Sequence, residues 1–166
     1  MYPEQVCNVM FNLLDSHDTM RLITRCGGNE NEFYQRLCAM LAMNGTACIY
    51  YGTEIILPGG FDPDCRRCMP WEEINSGLYN DKISTMKQLI NMRKSYPELR
   101  NGEIRFLPES KGRIIAFEKY SSNRTIKIVI NCSNNEYQIK NLDKIIFARG
   151  FKNDCIESGG VVIAQV

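Results

Sequence analysis

Residues 9–15 read VMFNLLD, and SHDT follows at 16–19. A nearly continuous apolar run of this length, closed by an acid, suits a parallel strand covered on both faces. Periodicity alone leaves a short buried helix open. The next segments favour the strand. Residues 29–45, NENEFYQRLCAMLAMNG, place Phe33, Leu37, Met40 and Leu41 at helical spacing, with Glu30 and Glu32 near the start and Gly45 just past the end. TACIYYG at 46–52 is then a second buried strand, closed by Gly52. Strand, helix, strand is the repeating unit of a parallel α/β sheet.

A loop rich in Pro, Gly and Asp spans about residues 53 to 80. It exceeds the ~12–15 residues usual for structureless connections, and loops of that length tend to carry function. A second helix is expected over DKISTMKQLINMRKSYPEL, 81–99, with Ile83, Met86, Leu89, Ile90 and Arg93 on one face and Pro97 ending it. Near residue 100 the pattern changes. EIRFLPE, RIIAFEKYS, TIKIVINC, EYQIK, KIIFA and GGVVIAQV are short β-rich runs, separated by turn clusters at 109–112, 121–123, 133–135 and 158–160. This spacing predicts an antiparallel β-sandwich. The expected fold is therefore α/β followed by all-β, divided at about residues 98 to 102.

Two buried strands cannot cover one another's faces. A complete (β/α)8 barrel needs eight strands and roughly 250 residues, so the strand–helix pairs predict part of a barrel whose remainder lies outside these 166 residues. Strand faces left open in this way favour self-association.

Bulk properties narrow the function. Hydrophobic residues make up 44% and charged residues 23%, as in soluble globular proteins, and the formal net charge is +1. A nearly neutral chain with scattered basic residues gives no electrostatic basis for binding nucleic acid or an anionic membrane. No apolar run approaches the ~20 residues of a membrane span, and MYPEQVCNVM lacks the basic flank and apolar stretch of a signal peptide. Of eight cysteines, Cys7, Cys26, Cys38, Cys48, Cys132 and Cys155 lie mostly among apolar or helical neighbours, where a thiol acts as a small hydrophobe. Reduced thiols and a cytoplasmic setting are expected. Cys65-Arg-Arg-Cys68 is a lone C-x-x-C. With one histidine in the chain it lacks the second ligand pair of a structural zinc, and neither a metal nor another cofactor is expected.

The candidate chemistry gathers after the two strands. In parallel α/β barrels, active residues stand at the carboxyl ends of strands. Asp15, His17 and Asp18 follow the first strand; Asp62 and Arg66 lie in the loop after the second. Carboxylates accept hydrogen bonds from vicinal hydroxyls, imidazole and guanidinium donate them, and Tyr50, Tyr51 or Trp71 could stack on sugar rings. Plainer readings stand beside this one. Ser16, Asp18 or Thr19 could cap the next helix. Asp62-Pro63-Asp64 is a common turn, Arg66 a surface arginine, and Trp71 a packing residue.

FNLLDSHDT at 11–19 resembles the last signature segment of the α-amylase superfamily of retaining glycosidases. GTACIYYGTEIILPGGFDPDCRRCMPWEE at 45–73 is similar to that superfamily's segment through the eighth barrel strand, above all in the neopullulanase, cyclomaltodextrinase and maltogenic amylase branch. MKQLINMRKSYPELRNGEIRFL at 86–107 resembles its final barrel helix and the approach to its C-terminal β-domain. Ala47, where proline is usual, Met20 and the IILPGGF wording depart from the pattern.

The resemblance implies that residues 1–98 form the last two βα units of a (β/α)8 barrel and residues 99–166 a C-terminal β-sandwich. It implies Asp18 as the third catalytic acid, a stabiliser of the transition state. It implies His17 as a hydrogen-bonding partner of the sugar at the cleavage point, and Asp62 with Arg66 as contacts further toward the non-reducing end. The substrate would be an α-glucan or cyclodextrin. The family's nucleophile, in a GxRxD strand end, and its acid/base both precede LLDSHDT, and neither segment occurs within these 166 residues. The chain alone is therefore expected to be inactive. A carbohydrate-binding or assembly β-module is the alternative, and a purely structural piece a third.

Overall fold

The computed structural model describes residues 3–166; the side chains of Glu4 and Cys7 lie outside that description. A short helix α1 (Glu4–Cys7) leads into β1 (Phe11–Leu13). Helices α2 (Leu22–Arg25) and α3 (Glu30–Ala42) connect β1 to β2 (Thr46–Cys48), which pairs with β1 in parallel, Phe11 opposite Thr46 and Leu13 opposite Cys48. Both strands are shorter than their apolar runs. Each has the other as its only pairing partner among the described residues, so the ladder ends where three residues match. The faces of β1 are not buried here: Phe11 is 62% and Leu13 44% exposed. The strand–helix–strand order expected from the sequence is present, with the strand faces open.

α3 begins where its cap permits. The Asn29 side chain accepts hydrogen bonds from the N–H groups of Asn31 and Glu32, at 2.9 and 3.2 Å, and Glu30 and Glu32 complement the positive end of the helix. Gly45 follows with φ +91°, and a Cβ there would stand 2.4 Å from the Met10 carbonyl oxygen, so the approach of β2 to β1 requires glycine. The loop after β2 is not structureless. It contains 3-10 turns at Thr53–Ile55 and Asp64–Arg66 and a helix α4 (Trp71–Asn75). α5 (Asn80–Ser95) buries Met86, Leu89, Met92 and Arg93, and α6 (Glu98–Asn101) follows Pro97.

Among the described residues the remaining strands are β3 (Glu103–Phe106), β4 (Ile114–Tyr120), β5 (Thr125–Asn131), β6 (Tyr137–Gln138), β7 (Lys144–Lys152) and β8 (Cys155–Gln165), all antiparallel. The expected two-sheet sandwich is corrected: these strands form one hydrogen-bonded sheet. β8 is the reason. Its residues 161–165 pair with β5, Cys155 and Ile156 pair with β6, and β7 runs along the opposite edge. Helices take the place of a second sheet on one face. Phe117, Ile128, Ile130 and Ile163 join Phe33, Leu37, Leu89 and Leu99 in one core, while Ala116, Val129, Ile156 and Val162 form a smaller cluster on the other face.

The expected turn at 158–160 is also corrected. The chain reverses at Asn153-Asp154, whose φ values of 50° and 60° suit a tight hairpin. Gly160 sits inside β8, where a Cβ would meet the Gly150 carbonyl oxygen at 2.6 Å, beside a register shift between Arg149 and Phe151. Those glycines serve an irregular ladder.

Lys119, 1% exposed, bridges the sheet to the helices. Its Nζ donates to the Gly102 carbonyl at 2.6 Å and to Asn44 Oδ1. Burial, with the charge of Arg93 adding to it, pushes the amine from 10.5 down to about 8. Between pH 8 and 10.5 the unfolded chain holds a proton that the folded chain has released, so this group makes stability rise with pH over that window. At about 1.4 kcal/mol per unit, the gain is about 2–3 kcal/mol. Urea unfolding at pH 7.5 and 10.5 checks it: the rise is expected in the wild type relative to Lys119→Met, and an equal pH response in both would contradict it.

Candidate active site

Beyond β1 the chain turns inward at Asp15, which is 4% exposed. One carboxylate oxygen accepts the Leu22 N–H at 3.0 Å, and both lie 3.1–3.2 Å from the Thr53 hydroxyl. Asp15 thus serves the start of α2 and ties it to the segment after β2. Ser16, Asp18 and Thr19 do not cap that helix, whose N-cap residue is Arg21. Ser16 and Thr19 close a turn instead: the Ser16 N–H donates to Thr19 Oγ1 at 3.0 Å and the Asp18 N–H to Ser16 Oγ at 3.2 Å. That turn projects His17 and Asp18 outward, their side chains 64% and 70% exposed.

The loop after β2 brings Asp62 and Arg66 to the same place. Arg66 Nε lies 3.0 Å from Asp62 Oδ1 and donates to the His17 carbonyl at 3.1 Å. Its Nη2 is 3.7 Å from Asp18 Oδ1, and His17 Nε2 is 3.2 Å from Asp18 Oδ2. The four residues singled out from the sequence therefore form one cluster, drawn from two loops at the carboxyl ends of two parallel strands. The other acid of Asp62-Pro63-Asp64 turns away. Arg67 and the Gly60 N–H bind Asp64 at 2.7 and 2.6 Å and hold its carboxyl below the usual range.

The candidate stacking residues divide. Tyr50 and Tyr51 meet edge to face, 4.6 Å between centroids, and the Arg21 guanidinium lies over both rings at 4.1 and 4.5 Å. Trp71 is 62% exposed, and so is Phe61, at 75%, beside Asp62. Sequence pattern alone does not single out Phe61, Cys65 or Arg21 for this site. Cys65 is fully buried and its thiol donates to the His17 carbonyl at 3.0 Å. Cys65 and Cys68 are free thiols, as are the other described cysteines. For Arg21 the available signal is a lone cation at the head of an apolar helical run. A groove of about 420 Å³ between α3 and the sheet, lined in part by Gln35, Arg36, Arg113 and Cys132, contains none of the cluster.

Chemically the cluster is an open set of hydroxyl partners: two carboxylates accept, a guanidinium and an imidazole donate, and apolar rings stand nearby. The carboxylates of Asp18 and Asp62 lie 3.7 and 3.0 Å from the Arg66 guanidinium, while Asp15 is buried and hydrogen-bonded to Leu22 and Thr53.

The alpha amylase catalytic domain family matches residues 1–105. A cyclomaltodextrinase of Geobacillus thermopakistaniensis (strain MAS1) is 43% identical over 141 residues, 83% of this chain and 23% of that protein. Neopullulanase 2 of Thermoactinomyces vulgaris is 40% identical over 134 residues, 79% of this chain and 22% of that protein. The native form of the Nostoc punctiforme debranching enzyme superposes with a TM-score of 0.86 at 28% identity, covering 99% of this chain and 37% of that one. The chain spans about a quarter of the length of the curated relatives it matches.

Proposed function

The chain belongs to the α-amylase family of glycoside hydrolases, and from that membership we propose that it forms the C-terminal portion of an enzyme that cleaves α-glucans or cyclodextrins with retention. Residues 1–98 supply the last two βα units of a (β/α)8 barrel, and residues 99–166 the β-domain that follows. Asp18 is the carboxylate that stabilises positive charge developing on the sugar ring. His17 donates to a hydroxyl of the same sugar, and Asp62 with Arg66 hold the next sugar toward the non-reducing end. Free thiols fit a cytoplasmic setting. No helix among the described residues is long and apolar enough to cross a membrane.

One observation carries the reading: His17, Asp18, Asp62 and Arg66, from loops more than forty residues apart, meet within 3.0–3.7 Å at the carboxyl ends of β1 and β2. That is where a parallel α/β barrel keeps its reacting groups. Calorimetric titration with maltohexaose tests it. A hydrogen bond to a charged group is worth about 1.5–3 kcal/mol, so Asp62→Ala is expected to weaken binding about tenfold or more. Binding that persists unchanged in both Asp62→Ala and Asp18→Ala would place the sugar on the sheet and favour a β-module without catalysis.

A further inference from the structure

We propose that Arg21 is a positioning residue for this cleft, locking the loop that carries Asp62 and Arg66 against the loop that carries His17 and Asp18. The proposal rests on the α-glucan reading for its purpose, though not for its geometry. Arg21 is completely buried. Its Nε donates to the Cys65 carbonyl at 2.7 Å, its Nη1 to the Tyr51 carbonyl, and its own N–H to the Gly59 carbonyl at 3.0 Å. Both tyrosine rings pack on the guanidinium. Nη2 is buried without a hydrogen-bond partner.

The partners of this cation are carbonyl oxygens and ring faces rather than carboxylates. A buried charge so placed is costly, and an apolar side chain would fill the space more cheaply. What only a planar fork supplies is simultaneous reach to two points of the second loop from the first. The second loop then grips the first in return. The Cys65 thiol and Arg66 Nε both donate to the His17 carbonyl, and Arg66 reaches Asp18. Arg21 touches none of the four cluster side chains through these bonds; it acts through the Cys65–Arg66 backbone.

His17 is the one histidine of the chain, so its ring C–H signals in a proton NMR spectrum report on the cluster without assignment. Arg21→Lys keeps the charge and loses the fork. It is expected to move the His17 ring signals toward their positions in Arg66→Ala, and the double variant is expected to add nothing beyond Arg66→Ala, the non-additivity of residues acting in series. Glu30→Gln, which weakens contacts to Lys82 and Arg149 away from the cluster, is the control and leaves the His17 signals in place. His17 signals at wild-type positions in a folded Arg21→Lys protein would overturn the proposal and reduce Arg21 to packing. If Arg21→Lys does not fold, Arg21→Met, which fills the space with an unbranched apolar chain and no fork, carries the test: its His17 signals must shift in the Arg66→Ala direction, and unmoved signals overturn the proposal. Maltohexaose added to the same samples separates the two readings. Sugar that leaves the wild-type His17 signals unmoved overturns the α-glucan cleft, and with it the purpose assigned to Arg21. Sugar that moves them equally in wild type and Arg21→Lys overturns the positioning role alone.

Discussion

Replacing Arg93 by alanine is expected to cost about 3–5 kcal/mol of unfolding free energy, since a buried carbonyl left without its donor costs about 1–3 kcal/mol, a large share of the roughly 5–15 kcal/mol that holds a domain folded. Arg93 is 9% exposed and sits where α3, β2 and α6 converge. Its Nη1 donates to the carbonyls of Leu41, Met43 and Leu99 at 2.6, 2.8 and 3.0 Å, and its Nη2 to that of Gly45 at 2.6 Å. The last carbonyls of a helix have no partner within it, and a cation there also complements the negative end of the dipole. One side chain thus satisfies the end of α3, the lead into β2 and the end of α6. Its removal leaves four carbonyls short of donors and opens a hole beside Leu99. Lysine keeps the charge without the fork and is expected to recover only part of the loss. Thermal unfolding followed by circular dichroism should show Arg93→Ala melting about 6–20 °C lower. Arg36→Ala, which breaks a half-exposed pair with Glu32 on α3, should cost no more than about 0.5 kcal/mol. A loss below about 1 kcal/mol for Arg93→Ala would contradict the clamp assigned to it.

The share of the fold that is legible in the sequence depends on which interactions are local. α3 announces itself through two early acids, apolar residues at helical spacing and a closing glycine, all within 17 residues; its Asn29 cap shows only in the fold. The parallel strands are legible as apolar runs, but not their short ladders, because a strand ends where its partner ends. The β-rich half is legible as strands and turns, while its sheet is not. Nothing local says that β8 pairs along both edges, or that helices cover the face a second sheet would take. Ser158-Gly159-Gly160 looks like a turn because glycine serves turns and close backbone approaches alike; Asn153-Asp154 is the actual hairpin. At the site, His17, Asp18, Asp62 and Arg66 are readable as residue types suited to a sugar and as a family resemblance. Their meeting is not, since it depends on Arg21 and Cys65 contacts that span 44 and 48 residues.

The largest functional effect expected is an absence. Retaining cleavage requires a nucleophilic carboxylate and an acid/base carboxyl about 5–5.5 Å apart on opposite sides of the scissile bond. In the cluster Asp18 and Asp62 are both paired with Arg66, and Asp15 is spent on Leu22 and Thr53. A fixed charge such as Asp18 is worth roughly 10²–10³ in rate when a reaction is already under way. The roughly 10⁶-fold and greater accelerations of enzymes need covalent and proton-transfer steps, which these residues are not expected to supply. Asp18 is therefore expected to have no reaction to accelerate in this chain alone. The decisive measurement is reducing-sugar release from cyclodextrin and pullulan at high protein concentration. The wild-type chain should match both buffer and Asp18→Ala, whereas release by the wild type that Asp18→Ala abolishes would contradict the division of labour proposed for this fold.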